Sequence, residues 1–432
     1  MPKNRFKLSP RLMMGQLSNP KQKRFWVALT LFGSVLGLIL WKWLGKKGET
    51  KKTAAVTKLA ANARTVQPLP NYTMLFLDTL EGFSDGDYAV NGEVITAEYL
   101  EKQVDFAASA GMDGILIAIP IDHVFQTDGT TNWKVVEHVF TYANQKGLFI
   151  IAKLRMLPAK TYLFPLLNVA DYAGGSSSIK FTSPFWDTYA KQFAQEYKDR
   201  FGDWHRDGSI LCVMPTSSDQ QEWGYNSAAG LHEGSYGQRI AQTVRRLHEL
   251  ADLLSPLYVG VDSGSFYDSG AANGRGTSAV RDLAAKTNVM YIKDNPDHTY
   301  DIQFDSALGL TTAKDKGGFY MVEHTNSPPG QVTESVTRGV KTSFDAGADI
   351  VGLAFVYDEA GQAVATEIIG NLKTSGHYRR PKVAWHPVGE VTYTTGELQA
   401  NGGYGGAILN RFRDKVNQNG GKLPRLVVNN TL

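Results

Sequence analysis

Two glutamates follow apolar runs closely enough to work as a carboxylate pair. Glu222 stands in "QQEWGYN" (220–226), just after "SILCVMP" (209–215). Glu323 stands in "YMVEHTN" (320–326), near the end of "GFYMVEHT" (318–325). A carboxyl shielded from water keeps its proton and can give it to a leaving oxygen. An ionised partner can attack carbon or activate water. Aromatics gather nearby in sequence or at other apolar run ends: Trp223, Tyr225, Phe266, Tyr267, Tyr291 and Tyr357. Rings of this kind pack on the CH-rich faces of sugars.

Other chemistries have thinner support. Asp122-His123 and His298 lack the close spacing of a metal site, so no metal is expected. Lys153 in "LFIIAKLRM" would be the amine of a Schiff-base enzyme, but nothing in its neighbourhood singles it out. Cys212 lies in the apolar "ILCVM" and reads as a buried small hydrophobe.

These residues need a scaffold that brings distant run ends together. From Asn71 the chain alternates short apolar runs with helical patterns, eight times over. The runs are 72–80, 114–120, 148–156, 209–215, 257–264, 288–294, 318–325 and 350–357. The helical patterns are 96–111, 132–147, 183–202, 235–254, 278–287, 300–310, 332–347 and 363–372. The runs are continuous and bounded by turns, as in strands buried on both faces. Several helical patterns close on glycine: Gly111, Gly147, Gly202 and Gly347. The expected fold is α/β, a (β/α)8 TIM barrel over residues 71–375. An open doubly wound sheet fits less well, because "DTLEGFSDGDY" is a poor phosphate loop.

In such barrels the site lies at the carboxyl ends of the strands. Glu222 ends strand four and Glu323 ends strand seven, nearly opposite across the ring. Carboxyls about 5–5.5 Å apart would support retaining glycoside hydrolysis, and about 6.5–9.5 Å inversion. Asp78, Lys153, Arg155, Asp262, Lys293, Asp294, His324 and Tyr357 also fall at strand ends.

On these motifs the chain resembles clan A glycoside hydrolases, retaining barrel enzymes, and among them the beta-galactosidase-like families. "QQEWGYN" is similar to their Asn-Glu-Tyr-Gly signature. The resemblance implies Glu222 as acid/base and Glu323 as nucleophile. It sets Gln221 where the clan has an asparagine binding the sugar 2-hydroxyl, and Trp223 where those families have tyrosine. Arg155 is the candidate for the arginine these enzymes hold near the nucleophile; apart from the resemblance, the strand-end residues Tyr225, Tyr291, His324 and Tyr357 are further expected substrate contacts. The tryptophan usual at the end of strand eight is absent; Phe355 and Tyr357 are nearest. No cofactor is implied, and the partner would be an oligo- or polysaccharide. A rival reading keeps the barrel and the sugar but not the catalysis: a silent carbohydrate-binding barrel in a surface polysaccharide assembly.

The rest of the chain sets the location. The net charge is only +3, and the excess is confined to residues 1–24 and 42–58, so no nucleic-acid groove is expected. Between those basic stretches lies "FWVALTLFGSVLGLILWKWL", residues 25–44. It is about long enough to cross one hydrocarbon core, with Trp26, Trp41 and Trp43 at its ends. The expectation is an uncleaved transmembrane signal anchor with its lipid bilayer partner, preceded by a basic segment (1–24). A linker (45–70) and the barrel follow outside the cytoplasm, periplasmic or extracellular. Residues 376–432 break the rhythm and read as a C-terminal appendage packed on the barrel.

Overall fold

The computed structural model describes residues 69–429, except 79–88, 91–92, 95–96, 127, 157–165, 168–170, 172–178, 217–235, 263–266, 269–273, 276–285, 295–298, 326–332, 355, 357, 395–396 and 398–406. In parts of a few elements only the backbone is described. These residues belong to one compact unit, Val66–Leu432. No helix among them is long and apolar enough to cross a membrane. The expected span 25–44 lies outside the described residues.

Eight parallel strands form one sheet: β1 Met74–Asp78, β2 Gly114–Pro120, β3 Phe149–Arg155, β4 Ile210–Thr216, β5 Gly260–Asp262, β6 Val289–Asp294, β7 Phe319–Thr325 and β8 Ile350–Ala354. Each is hydrogen-bonded to its neighbour in sequence, and β1 pairs with β8. A parallel bridge between Val213 and Val259 joins β4 to the chain entering β5, so the sheet closes on itself. Followed once around the ring, the pairings climb eight residues along β4. That stagger is the shear of a (β/α)8 barrel. The apolar runs become strands because both faces are covered: β1, β2, β4 and β8 are buried along their whole length.

The helices follow their strands: α1 Ala97–Ala110, α2 Lys134–Gln145, α3 Tyr189–Asp207, α4 Tyr236–Leu254, α5 Thr299–Lys314, α6 Thr333–Asp345 and α7 Glu359–Thr374. The helix expected at 278–287 falls almost wholly outside the described residues. Gly111, Gly147 and Gly347 adopt positive φ just after their helices, where a side chain would be strained. Gly202 does not end its helix, contrary to expectation. The buried residues Phe193, Tyr197, Phe201 and His205 recur every four positions, so the apolar stripe carries α3 past Gly202 to a left-handed Gly208. The same stripe meets α2 through aromatic packing, with Trp133 stacked on Phe193 at 5.2 Å and Phe140 against Phe201 at 4.9 Å.

After α7 the chain crosses the end of the barrel where the strands begin. Arg379 Nε donates to the buried carboxylate of Asp113 at 2.6 Å. Asp113 also accepts from the backbone N–H of Leu75. Lys314 and Lys382 pair with Asp349, whose carboxylate also accepts from the N–H of Tyr320. Thr73 donates its N–H to the Arg380 carbonyl. Two acids at strand starts thus fix backbone register and anchor the tail that floors the barrel. Beyond it, β9 (Glu390–Tyr393) and β10 (Arg425–Val428) form a parallel pair with α8 (Ala407–Gln418) between them. This layer reaches the residue just after α5 through an ion pair of Arg425 with Asp315, 2.6 Å apart.

Candidate active site

Period-two alternation decides which strand-end side chains face the barrel interior. On β7 the matter is settled by His324. Its Nε2 lies 2.9 Å from the Ser343 hydroxyl of α6, and its ring covers Gly339 of that helix closely enough to exclude a Cβ. His324 therefore points out to the helix layer, and Glu323 beside it points in. Parallel partners share a face, so the inward set can be followed around the ring. Glu323 pairs with Gly352, Gly352 with Phe76, and Phe76 with Gly114. The same face then runs through Leu116 opposite Asp78, Ala118 opposite Lys153, and Lys153 opposite Met214. Contact agrees with register: a Cβ on Gly114 would strike the Phe76 ring.

Each strand of an eight-by-eight ring is displaced on average by one residue from the next, so one height is occupied by residues of alternate strands. Counted from Glu323, that height is reached at Asp78 on β1, Lys153 on β3 and Asp262 on β5. Asp78, Lys153 and Glu323 are all at most 1% exposed. The layer beneath them holds Leu116, Met214 and Gly352, with Tyr291 at its position on β6. The layer above holds the short side chains Ala118, Thr216 and Ala354, and its position on β6, paired with Glu323, is Lys293. A layer bearing Asp78, Lys153 and Glu323 thus closes the inner end of the barrel mouth.

Arg155 lies two residues further along β3, on the same inward face as Lys153, and is buried. Its guanidinium is close enough to His123, at the end of β2, to help burial hold that imidazole down to about 4. His123 is therefore neutral near pH 7. His324 is also held near 4, by burial alone. Its assignment to the substrate is corrected by the structure, because its polar contact is made on the helix side of the sheet. Tyr291 occupies β6 opposite Met321. Only its backbone is described. Gln221, Glu222, Trp223, Tyr225 and Tyr357 lie outside the described residues; β4 ends at Thr216, six positions before Glu222. Among the described residues no group of three His, Cys, Asp or Glu side chains could hold a metal ion.

Asp78 and Lys153 are recognisable in sequence as strand-end residues. Their place in the layer of Glu323 is visible only in the register. The arrangement sets an inward carboxylate near the end of strand seven, in one layer with Lys153 and Asp78 and with Lys293 at the paired position of β6.

No family model matches the chain, and no curated protein matches it in sequence. Solved structures match it in fold. One is a beta-galactosidase from the psychrophilic Marinomonas ef1, at 9% identity and a TM-score of 0.55, covering 83% of this chain and 70% of that one. Another is a GH5_18 protein from Bifidobacterium longum subsp. infantis, at 12% identity and a TM-score of 0.56, covering 83% and 93%. A third is a GH5_18 protein from Streptomyces cattleya solved in complex with GlcNAc, at 13% identity and a TM-score of 0.53, covering 83% and 94%. The likeness is one of fold, and it falls on the group of barrel glycoside hydrolases that the sequence resembles.

Proposed function

We propose that this protein is a membrane-anchored glycoside hydrolase that cleaves its substrate with retention of configuration. The observation that carries the reading is Glu323: a carboxylate buried on the inner face of strand seven, near its carboxyl end, in a barrel folded like glycosidases. In this reading Glu323 attacks the anomeric carbon as the glycosidic C–O bond breaks. Glu222 gives its proton to the departing oxygen. A glycosyl ester on Glu323 results. Water then attacks the same carbon, Glu222 takes the water proton, and Glu323 leaves as carboxylate. The two steps consume one water and return both carboxyls to their starting states, with no cofactor. Gln221, Trp223, Tyr225, Arg155, Tyr291 and Tyr357 are the proposed sugar contacts. An oligo- or polysaccharide outside the cytoplasm is the proposed substrate, and residues 25–44 the membrane anchor.

The test is hydrolysis of a panel of aryl glycosides by the wild type, Glu222→Gln and Glu323→Gln. The reading expects cleavage of at least one glycoside, with the first-formed sugar carrying the substrate's anomeric configuration. It expects each variant to fall by at least about 100-fold. Variants equal to wild type would overturn the residue assignment, and an inverted product would overturn retention.

A further inference from the structure

We infer that the barrel floor, the face opposite the mouth, is a docking surface for anionic lipid headgroups, and that it turns the mouth away from the bilayer. The inference rests on the anchor proposed at residues 25–44 for its local concentration of lipid; the chemistry of the floor is its own.

Charge is divided unevenly along the chain. Residues 71–372 hold twenty-two Lys and Arg against thirty-eight Asp and Glu, whereas residues 373–432 hold nine against three. The body is acidic, and the tail with its added layer is basic. Part of that basicity is already matched at the floor: Arg379 by Asp113, Arg380 by Asp345, and Lys382 with Lys314 by Asp349. Lys373, Lys415 and Lys422 form no ion pair with a described residue. Lys373 and Lys415 stand in the last turns of α7 and α8, where a cation offsets the helix dipole, and each ammonium can still meet an external anion. All three gather round the segment that crosses the floor. Lys373 lies over the Tyr378 ring, Lys415 against Gly389, and Lys422 lines a depression of about 370 Å³ with Val383, Trp385 and His386.

Apolar side chains are exposed on the same segment. Among the described residues the large exposed hydrophobics are Val135, Val383 and Val388, and the last two, 53% and 37% exposed, flank the floor depression and its approach. Trp385 lies between them, half-buried, with the Arg425 guanidinium 5.4 Å from its ring centre. Lysines meet lipid phosphates, while tryptophan and aliphatic side chains enter the headgroup boundary. The chain also enters the barrel here. Tyr72 is bridged to Pro381, and Lys382 donates its N–H to the Asn71 carbonyl. A bilayer attached upstream is therefore joined to the floor, and the mouth lies at the far ends of the strands. Three lysines near an anionic surface contribute about fivefold each to binding. That is too little to hold an untethered barrel in salt, and enough to orient one that an anchor keeps close.

The experiment reconstitutes the full chain into vesicles of phosphatidylcholine with about 30% phosphatidylglycerol. A fluorophore is attached at Val383→Cys on the floor, or at Gln126→Cys beyond the end of β2; Cys212 is buried and does not compete. Lipids with a spin-labelled headgroup quench whichever end lies on the bilayer. The inference expects quenching at least about threefold stronger at Val383 than at Gln126 in about 0.1 M salt, and loss of the difference in about 1 M salt or in phosphatidylcholine alone. Lys373→Glu, Lys415→Glu and Lys422→Glu together should lower the ratio of docked to undocked barrel at least about tenfold. The salt and lipid comparisons decide the matter if that variant fails to fold. Equal quenching at the two positions, stronger quenching at Gln126, or indifference to salt and charge reversal overturns the inference. A response of the Val383 label to soluble dextran sulfate but not to charged vesicles would give the face to an acidic polymer and also overturn it. Flotation with phosphatidylcholine vesicles in high salt reads the anchor separately. A chain that does not float loses the anchor and the orientation with it. One that floats without preferential quenching keeps the anchor and loses the docking floor.

Discussion

Glu323 and His324 are consecutive on one strand and face opposite layers of the protein, the carboxylate into the barrel and the imidazole onto Ser343 and Gly339 of α6. Their substitutions should therefore separate chemistry from stability. Glu323→Gln is expected to abolish glycoside cleavage. His324→Ala is expected to leave kcat within about threefold of wild type while costing about 1–3 kcal/mol of folding free energy through the lost hydrogen bond and the cavity. Parallel kinetics and urea unfolding on both variants would show it. A His324→Ala protein that is stable but inactive would contradict the orientation given to this strand.

Acid should weaken the fold below neutral pH. Burial holds His324 down to about 4 and His205 down to about 3, against 6.5 when exposed. The unfolded chain therefore binds more protons than the native one as pH falls below 6.5. The stabilisation is fully present above 6.5 and is lost progressively down to the folded values, up to about 3 kcal/mol for His324 and about 5 kcal/mol for His205. His123, also held near 4, adds in the same sense. Burial raises the Asp113 carboxyl, which works in the opposite direction above its exposed value of 3.8. Urea midpoints at pH 7.5, 6, 5 and 4.5 test the sum. A flat series would show that these rings are not buried in solution as they are here.

The barrel floor should depend on one exposed arginine. Arg379→Ala leaves the Asp113 carboxylate with only the Leu75 N–H among its described hydrogen bonds. The loss of a charge-assisted bond at a buried acid predicts about 1.5–3 kcal/mol of destabilisation. Asp113→Asn in the same background should recover part of it, since the amide oxygen can still accept from Leu75. If Arg379→Ala unfolds at the same urea concentration as wild type, the tail contributes nothing to closure.

A single methyl group tests the inward face. Gly114→Ala should cost about 1–3 kcal/mol, because the new Cβ meets the Phe76 ring and the Phe149 carbonyl. Adding Phe76→Leu should relieve part of the cost; no relief would mean that the backbone clash alone dominates.

Membrane attachment is testable without the enzyme reaction. Full-length protein should sediment with membranes and resist extraction by high salt, whereas a chain lacking residues 1–44 should remain in the supernatant. Equal sedimentation of both would remove residues 25–44 as the anchor.

The eight strands are legible in the sequence because they are covered on both faces, which turns each into an unbroken apolar run. The runs 114–120 and 209–215 show this, matching strands Gly114–Pro120 and Ile210–Thr216 to within one residue. Helix ends marked by glycine are legible where the stripe of apolar residues stops with them, as at Gly111 and Gly147. Gly202 misleads because the stripe continues through Phe201 and His205. The site is less legible. Alternation alone says that Glu323 and His324 cannot both face inward, but not which of them does. That Asp78 and Lys153 share a layer with Glu323 depends on four successive pairing offsets, from β7 through β8, β1 and β2 to β3. No single segment carries that information.

The closed stagger of the ring has a consequence for error. An open sheet can let an edge strand slip by one residue and lose only local pairing. In the closed ring β7 is paired on both sides, so a slip must break and re-form its ladders to β6 and β8 together. A one-residue slip would also exchange Glu323 for His324 on the inner face, putting an imidazole where the carboxylate belongs. Closure thus gives each strand two partners where an edge strand has one, and the error that would swap those two neighbours is opposed at both seams.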